Sequence, residues 1–256
     1  MQSNKKDSRK IQKMVWRFSR DGKQRQVVPV VREEVWGLSL ENQDITKFCC
    51  SGRYLAELAI GYLKYLGLLK CPEDISEVSV NKEKKRLQVK LAAGCEKSEQ
   101  ILERKSFDMF GTGEDKRGAK TDSYALTARL TQEPSQLFHL MEQLNASSKL
   151  YKTTHGVHNS ALATSEDIVV FRDDIGRHNT IDMLHGYSFM RKIPLKDKIL
   201  ITTCRITSQI VKKVIRMGVP IVVSRGITTN LAMSLAEKAD ITLVGFLRGY
   251  RFIVYT

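Results

Sequence analysis

The chain has 256 residues, 42% of them hydrophobic, with 42 Lys and Arg against 28 Asp and Glu, a formal charge of +14. That length supports one large domain or two small ones sharing a core, and the apolar fraction is ordinary for a globular protein. No apolar run approaches the ~18 residues that cross a bilayer, so no membrane helix is expected, and the positive charge favours an anionic partner.

Residues 1–25 are basic and polar without an apolar core segment, which predicts a flexible basic N-terminus rather than a secretory signal. A cytoplasmic location follows as the expectation. Five cysteines, Cys49, Cys50, Cys71, Cys95 and Cys204, form no C-x-x-C and are expected as reduced thiols. Residues 26–50 read as strands from their β-branched runs and alternation. In residues 51–67, Leu55, Leu58, Ala59, Tyr62, Leu63 and Leu66 recur at helical spacing, with Ser51 as the expected cap and Gly67 as the stop. A strand pair with a polar turn at 81–84 follows, then the Gly-rich, charged stretch FGTGEDKRGAK, predicted as a mobile loop.

A helix is expected over 135–151. Beyond it, ALATSEDIVVFRDD reads as one strand, and apolar strands then alternate with helices to the C-terminus. The predicted organisation is an α+β N-terminal subdomain (26–107), a mobile loop (108–121) and an α/β subdomain (122–256) with a mostly parallel sheet.

In such sheets ligands sit beyond the carboxyl ends of the strands. Three of those ends carry Arg beside a hydroxyl residue or glycine at a helix start: RDDIGRHNTID, CRITS and SRGITT. Helix N-termini offer free N–H groups and guanidinium adds paired donors, so Arg177, Arg205 and Arg225 are read as converging on phosphates. His178 with Asn179 and Asp182 belongs to the same loop, His178 as a ligand donor or acid–base group, or as a structural partner of Asp182. Ser208, Ser224 and Thr228 add hydroxyls. Phe246 is placed to stack on a planar base and Arg248 to meet a phosphate, or else they form an ordinary hairpin. His155 and His158 have H-x-x-H spacing, but ligand contact by His158 is preferred to metal binding, and no metal site is expected. Cys204 is a candidate nucleophile if Arg205 lowers its pKa, and otherwise a small residue ending a buried strand.

RDDIGRHNTIDMLHG, GVHNSAL and the segment from TTCRITSQ to the C-terminus resemble the blocks of the formate dehydrogenase accessory sulfurtransferases, and YLAELAIGYLKYLGLL resembles an upstream helix of that family. The resemblance runs from about residue 27 to the end. It implies a cytidine deaminase-like three-layer core and a homodimer. It also implies binding of the bis-guanine-dinucleotide form of the molybdenum cofactor, whose GDP-like ends suit the inferred pocket. Sulfur would come from a cysteine desulfurase and serve the formate dehydrogenase catalytic subunit. The family carries sulfur on a C-x-x-C within a glycine-framed loop, and here Glu114 and Arg117 stand at those two positions. Neither side chain can form a persulfide. The readings from sequence are therefore a cofactor-binding sulfurtransferase, a cofactor-binding chaperone without sulfur transfer, and a nucleic-acid-binding protein suggested by charge alone.

Overall fold

The computed structural model describes residues 7–95 and 132–256; the loop at 108–121, with Glu114 and Arg117, lies outside them. Among the described residues there are twelve strands and six α-helices.

The first element contradicts the expected flexible tail. Strands β1 (Lys10–Ser19) and β2 (Gly22–Val31) form an antiparallel hairpin in which Ser19 pairs with Gly22, leaving Arg20 and Asp21 as the turn. Ile11, Val15, Trp16 and Phe18 favour a strand, but the Lys and Arg between them make the segment look like a solvated tail. Met14, Trp16 and Phe18 remain exposed, with Lys23 and Arg25 near the Trp16 ring at 5.5 and 5.0 Å. The hairpin is clipped to the body by Arg9, buried between Asp7 and Asp173.

A four-stranded sheet follows, built from β3 (Glu34–Leu40), β4 (Gln43–Cys50), β5 (Ile75–Asn81) and β6 (Arg86–Leu91) in the order β4-β3-β6-β5. Helix α1 (Leu55–Tyr65) covers it, and Leu58, Ala59 and Leu63 are fully buried among Trp36, Leu38 and Leu87. Each such leucine contributes about 1.5–3 kcal/mol. Gly67, with φ of 72°, ends the helix as expected. Ser51 does not cap it: Tyr54 holds the cap position, and Ser51 is drawn away to the carboxylate of Asp174.

Helices α2 (Pro134–Ser147) and α3 (Lys149–Thr154) precede the main sheet. Its strands are β7 (His158–Ala163), β8 (Ile168–Asp174), β9 (Ile199–Thr202), β10 (Ile221–Ser224), β11 (Thr242–Arg248) and β12 (Arg251–Val254), in the order β12-β11-β10-β9-β7-β8. The expected mostly parallel arrangement is corrected to a mixed one. β8, β9, β10 and β11 run the same way, but β7 lies between β8 and β9 in the opposite sense, as does β12 at the edge. The cause is a turn inside the segment read as one strand: the Thr164 hydroxyl accepts from the backbone N–H of Asp167 at 3.1 Å and folds β7 back on β8.

One face of the main sheet packs on α2, through Leu137, Leu140 and Leu144. The other packs on α4 (Arg177–Met190), α5 (Ser208–Met217) and α6 (Asn230–Lys238). Helix α4 also meets α1 at a crossing without side chains between them. A Cβ on Gly61 would lie 1.8 Å from the Asp182 carbonyl oxygen, and one on Gly186 would lie 2.0 Å from that of Glu57. This contact fuses the two sheets into one stack, reinforced by the Glu57–Arg172 ion pair, 2.5 Å.

His185, beside that crossing, is buried, and desolvation together with Lys64 and Lys213 pulls its pKa down to about 3. The unfolded imidazole titrates near 6.5, so below that pH the unfolded chain binds a proton that the folded chain refuses. Its contribution to stability is complete above about pH 6.5 and declines as the pH falls toward 3, by about 1.4 kcal/mol per unit. Denaturant titrations from pH 7 to 5 are expected to show this slope, and His185→Gln to flatten it. An unchanged slope in that variant would refute the assignment.

Candidate functional site at the carboxyl edge of the main sheet

Because β8 through β11 run together, the loops after all four open at one edge, and the antiparallel β7 brings its first residue there too. The three predicted Arg-bearing loops therefore share one rim. The rim is laced by backbone: Arg225 N–H donates to Thr202 O at 3.0 Å, Phe246 N–H to Gly226 O at 2.6 Å, and Ile206 N–H to Ile227 O at 2.9 Å. A Cβ on Gly226 would lie 2.7 Å from the Cys204 carbonyl oxygen, so glycine is what lets these two loops touch.

Arg177 is the first residue of α4, whose cap residue is Gly176 and supplies no side chain. Its guanidinium Nε is buried without a hydrogen-bond partner. His178 beside it is held neutral, its pKa pulled down to about 4 by burial and by Lys213, Arg177 and His158. His158 is lowered for similar reasons, by burial and then by Arg177. Helix α5 repeats the pattern: its cap residue Thr207 makes no side-chain cap bond, and Thr207 Oγ1 is buried and unpartnered. Ser208 opens that helix, and Arg205 stands exposed just before it. Unpartnered buried donors at two uncapped helix starts suit a ligand that accepts hydrogen bonds and carries negative charge.

Phe246 sits at a β-bulge with φ of 55°, a left-handed conformation that is costly for an aromatic residue. The guanidinium carbons of Arg248 and Arg251 lie 5.3 and 5.5 Å from its ring centroid. Arg248 Nε also donates to the Arg225 carbonyl at 3.1 Å, tying both arginines to the same corner.

Other predicted residues serve the frame. Asn179 donates to Asp174 and to the Cys49 carbonyl, both at 2.8 Å. Asp182 pairs with Lys213 at 2.6 Å rather than with His178. The Ser224 hydroxyl donates to the Cys204 carbonyl and accepts from Gly226 N–H at 2.9 Å. Thr228 bridges to Ile206, with its hydroxyl 3.5 Å from the Ile206 carbonyl. Cys204 is not the low-pKa thiolate considered beside Arg205: it is buried, and burial raises its pKa. His155 packs on the Tyr151 ring, 5.2 Å between centroids, while His158 lies at the rim near Arg177.

Sequence reasoning missed Asp174, Thr207 and Asn159. Asp174 is buried and accepts from Ser51, Gly176 and Asn179, and burial still holds its carboxyl above the usual range. Thr207, in the CRITS loop, was legible as a cap. Asn159, whose buried carboxamide is unpartnered at both atoms, lies inside the GVHNSAL block but reads as an ordinary strand residue.

Comparison with known proteins places the chain in a family. Residues 31–256 match the model of the FdhD/NarQ family. The chain is 30% identical over 262 residues to the "Sulfur carrier protein FdhD" of Shouchella clausii, covering 100% of this chain and 97% of that protein. It is 34% identical over 236 residues to the protein of that name from Halalkalibacterium halodurans, covering 89% and 86%. Among solved structures, a protein assigned as a formate dehydrogenase accessory protein from Desulfotalea psychrophila superimposes with a TM-score of 0.79 at 25% identity, covering 97% of each chain. The chain thus belongs to the FdhD/NarQ family.

Proposed function

We propose that this protein serves formate dehydrogenase maturation by binding the bis-guanine-dinucleotide molybdenum cofactor at the carboxyl edge of its main sheet. The observation that carries the reading is the pair of buried, unpartnered polar atoms, Arg177 Nε and Thr207 Oγ1, at the starts of α4 and α5, neither of which has a side-chain cap bond. Arg177, Arg205 and Arg225 with the start of α5 would hold a diphosphate, and Phe246 would face a guanine with Arg248 beside it. His158 and His178, held neutral, would serve as hydrogen-bond partners rather than added cations. Asn179, Asp182, Ser208, Ser224 and Thr228 would fix the loops that carry these groups. The bound molecule is cargo whose metal centre is the site of sulfuration; this chain's residues bind and orient it.

In this reading the protein acts as a cytoplasmic homodimer with the formate dehydrogenase catalytic subunit as client, a cysteine desulfurase as sulfur source, and a deaminase-like layered core. Glu114 and Arg117 at the family's cysteine positions favour a second reading, a cofactor-binding chaperone that moves no sulfur. Nucleic-acid binding has the net charge in its favour and no readout motif.

Calorimetry with GDP tests the pocket. Saturable binding in the micromolar range or tighter is expected, weakening as salt rises because the contacts are ionic. Absence of heat and of any protection by GDP against thermal unfolding would rule the pocket out.

A further inference from the structure

With Cys204 buried and Cys50 buried with its thiol pushed up to about 12, three cysteines are left with access to solvent: Cys49, Cys71 and Cys95. Two of these meet. Cys71 Sγ lies 3.3 Å and Cys95 Sγ 3.6 Å from the same oxygen, Asp74 Oδ1. The two sulfurs are therefore separated by no more than the sum of those contacts, although the residues are far apart in sequence. The arrangement is built by backbone. Cys71 N–H donates to Asp74 Oδ2 at 3.0 Å, Ala92 N–H to Asp74 O at 2.8 Å, and Cys95 N–H to Ala92 O at 3.2 Å.

Cys71 also lines a cleft of ≈ 690 Å³ where α1, α4 and α5 end, far from the carboxyl edge of the main sheet. Lys64, Lys70, Lys192, Lys196 and Arg216 line it too, and among the described residues its one lining carboxylate, Glu73, is paired with Lys192. A thiol at the wall of a cationic cleft is presented to anionic reactants, and a persulfide is such a reactant.

We propose that Cys71 and Cys95 are a sulfur-accepting thiol pair, in which Cys71 takes the outer sulfur of an anionic persulfide and Cys95 resolves it. This rests on the sulfur-carrier branch of the function proposed above and supplies the thiols that positions 114 and 117 lack. In the first step Cys71 attacks the outer sulfur of R–S–SH. A Cys71–sulfur bond forms as the donor's S–S bond breaks, and R–S⁻ leaves with the proton released by Cys71, giving R–SH and Cys71–S–SH. In the second step Cys95 attacks the inner sulfur of that persulfide. The Cys71–Cys95 bond forms as the persulfide S–S bond breaks, and the Cys95 proton passes to solvent. The Cys95 sulfur is oxidised, the Cys71 sulfur stays at the level it reached in the first step, and the outer sulfur is reduced and leaves as hydrosulfide. Asp74, the shared acceptor, positions both S–H groups. Its hydrogen bond holds Cys71 above the usual thiol range and burial does the same for Cys95, so the resting pair is the protonated dithiol.

The test treats the full chain, reduced beforehand, with glutathione persulfide, followed by alkylation, peptide mass analysis and a hydrosulfide assay. An adduct of about 32 Da, one sulfur, is expected on the Cys71 peptide at short times, giving way to the Cys71–Cys95 disulfide and hydrosulfide. Cys71→Ser should lower total adduct about tenfold or more, and Cys49→Ser should leave it unchanged. Cys95→Ser should keep the adduct on Cys71 and abolish hydrosulfide release and the disulfide. Equal labelling of Cys49 and Cys71, or full labelling of Cys71→Ser, would overturn the pair. GDP titration of the same samples separates the two proposals: failure to bind GDP strikes the pocket alone, and failure to form the adduct strikes the thiol pair alone.

Discussion

Replacing Arg177 by alanine is expected to weaken GDP binding about 10- to 100-fold while leaving the fold intact. The range follows from the 1.5–3 kcal/mol typical of a hydrogen bond to a charged group. In the free protein its Nε is buried without a partner, so the wild type bears an unsatisfied donor that a diphosphate would satisfy. Removing the side chain deletes that unsatisfied group along with the ligand contact, so thermal stability without ligand should hold or rise slightly. Calorimetry and thermal melts on the same samples read both effects. A variant that binds GDP normally would move the ligand away from the start of α4. A variant that melts much earlier would make Arg177 a structural residue instead.

Gly61→Ala is expected to cost at least about 3 kcal/mol of stability, and Gly186→Ala a similar amount. The added methyl on Gly61 would sit 1.8 Å from the Asp182 carbonyl oxygen and 2.8 Å from the Gly186 nitrogen, all of it backbone that cannot step aside as a side chain can. The two helices must separate to admit it. Separation also disturbs Asp182 and its partner Lys213, buried ions whose pairing depends on α4 staying seated. Equilibrium unfolding in urea measures the loss. A cost below about 1 kcal/mol for both variants would mean that the crossing is looser than described.

Arg177 was legible in the sequence and the Gly61–Gly186 crossing was not. The elements of the C-terminal half could be read because apolar strands and helices alternate there with clear period, as in the segment 199–217. The rim of arginines could be read because each stands at a strand end before a helix. The turn at Thr164–Asp167 was missed because two short strands of similar composition flank it. The N-terminal hairpin was missed because interspersed Lys and Arg hide its β-branched and aromatic residues. The Gly61–Gly186 contact was invisible, since a glycine inside a helix announces neither its neighbour nor the closeness of approach. The division of labour at the rim was equally hidden. Asn179, Asp182 and Ser224 look like Arg177 and Arg205 in sequence, and it takes tertiary partners to show that they hold the frame.

The α1–α4 crossing also governs the order in which the chain can be assembled. Glu57 and Arg172, which pair beside it, are separated by 115 residues. During synthesis the four-stranded sheet and α1 emerge first, yet the outer side of α1 stays uncovered until α4 has left the ribosome. Contacts of such long separation slow folding and leave apolar surface open in the meantime. A nascent chain truncated before residue 177 should therefore be held by chaperones and cut readily by proteases, and protection of its first half should appear abruptly once α4 is made.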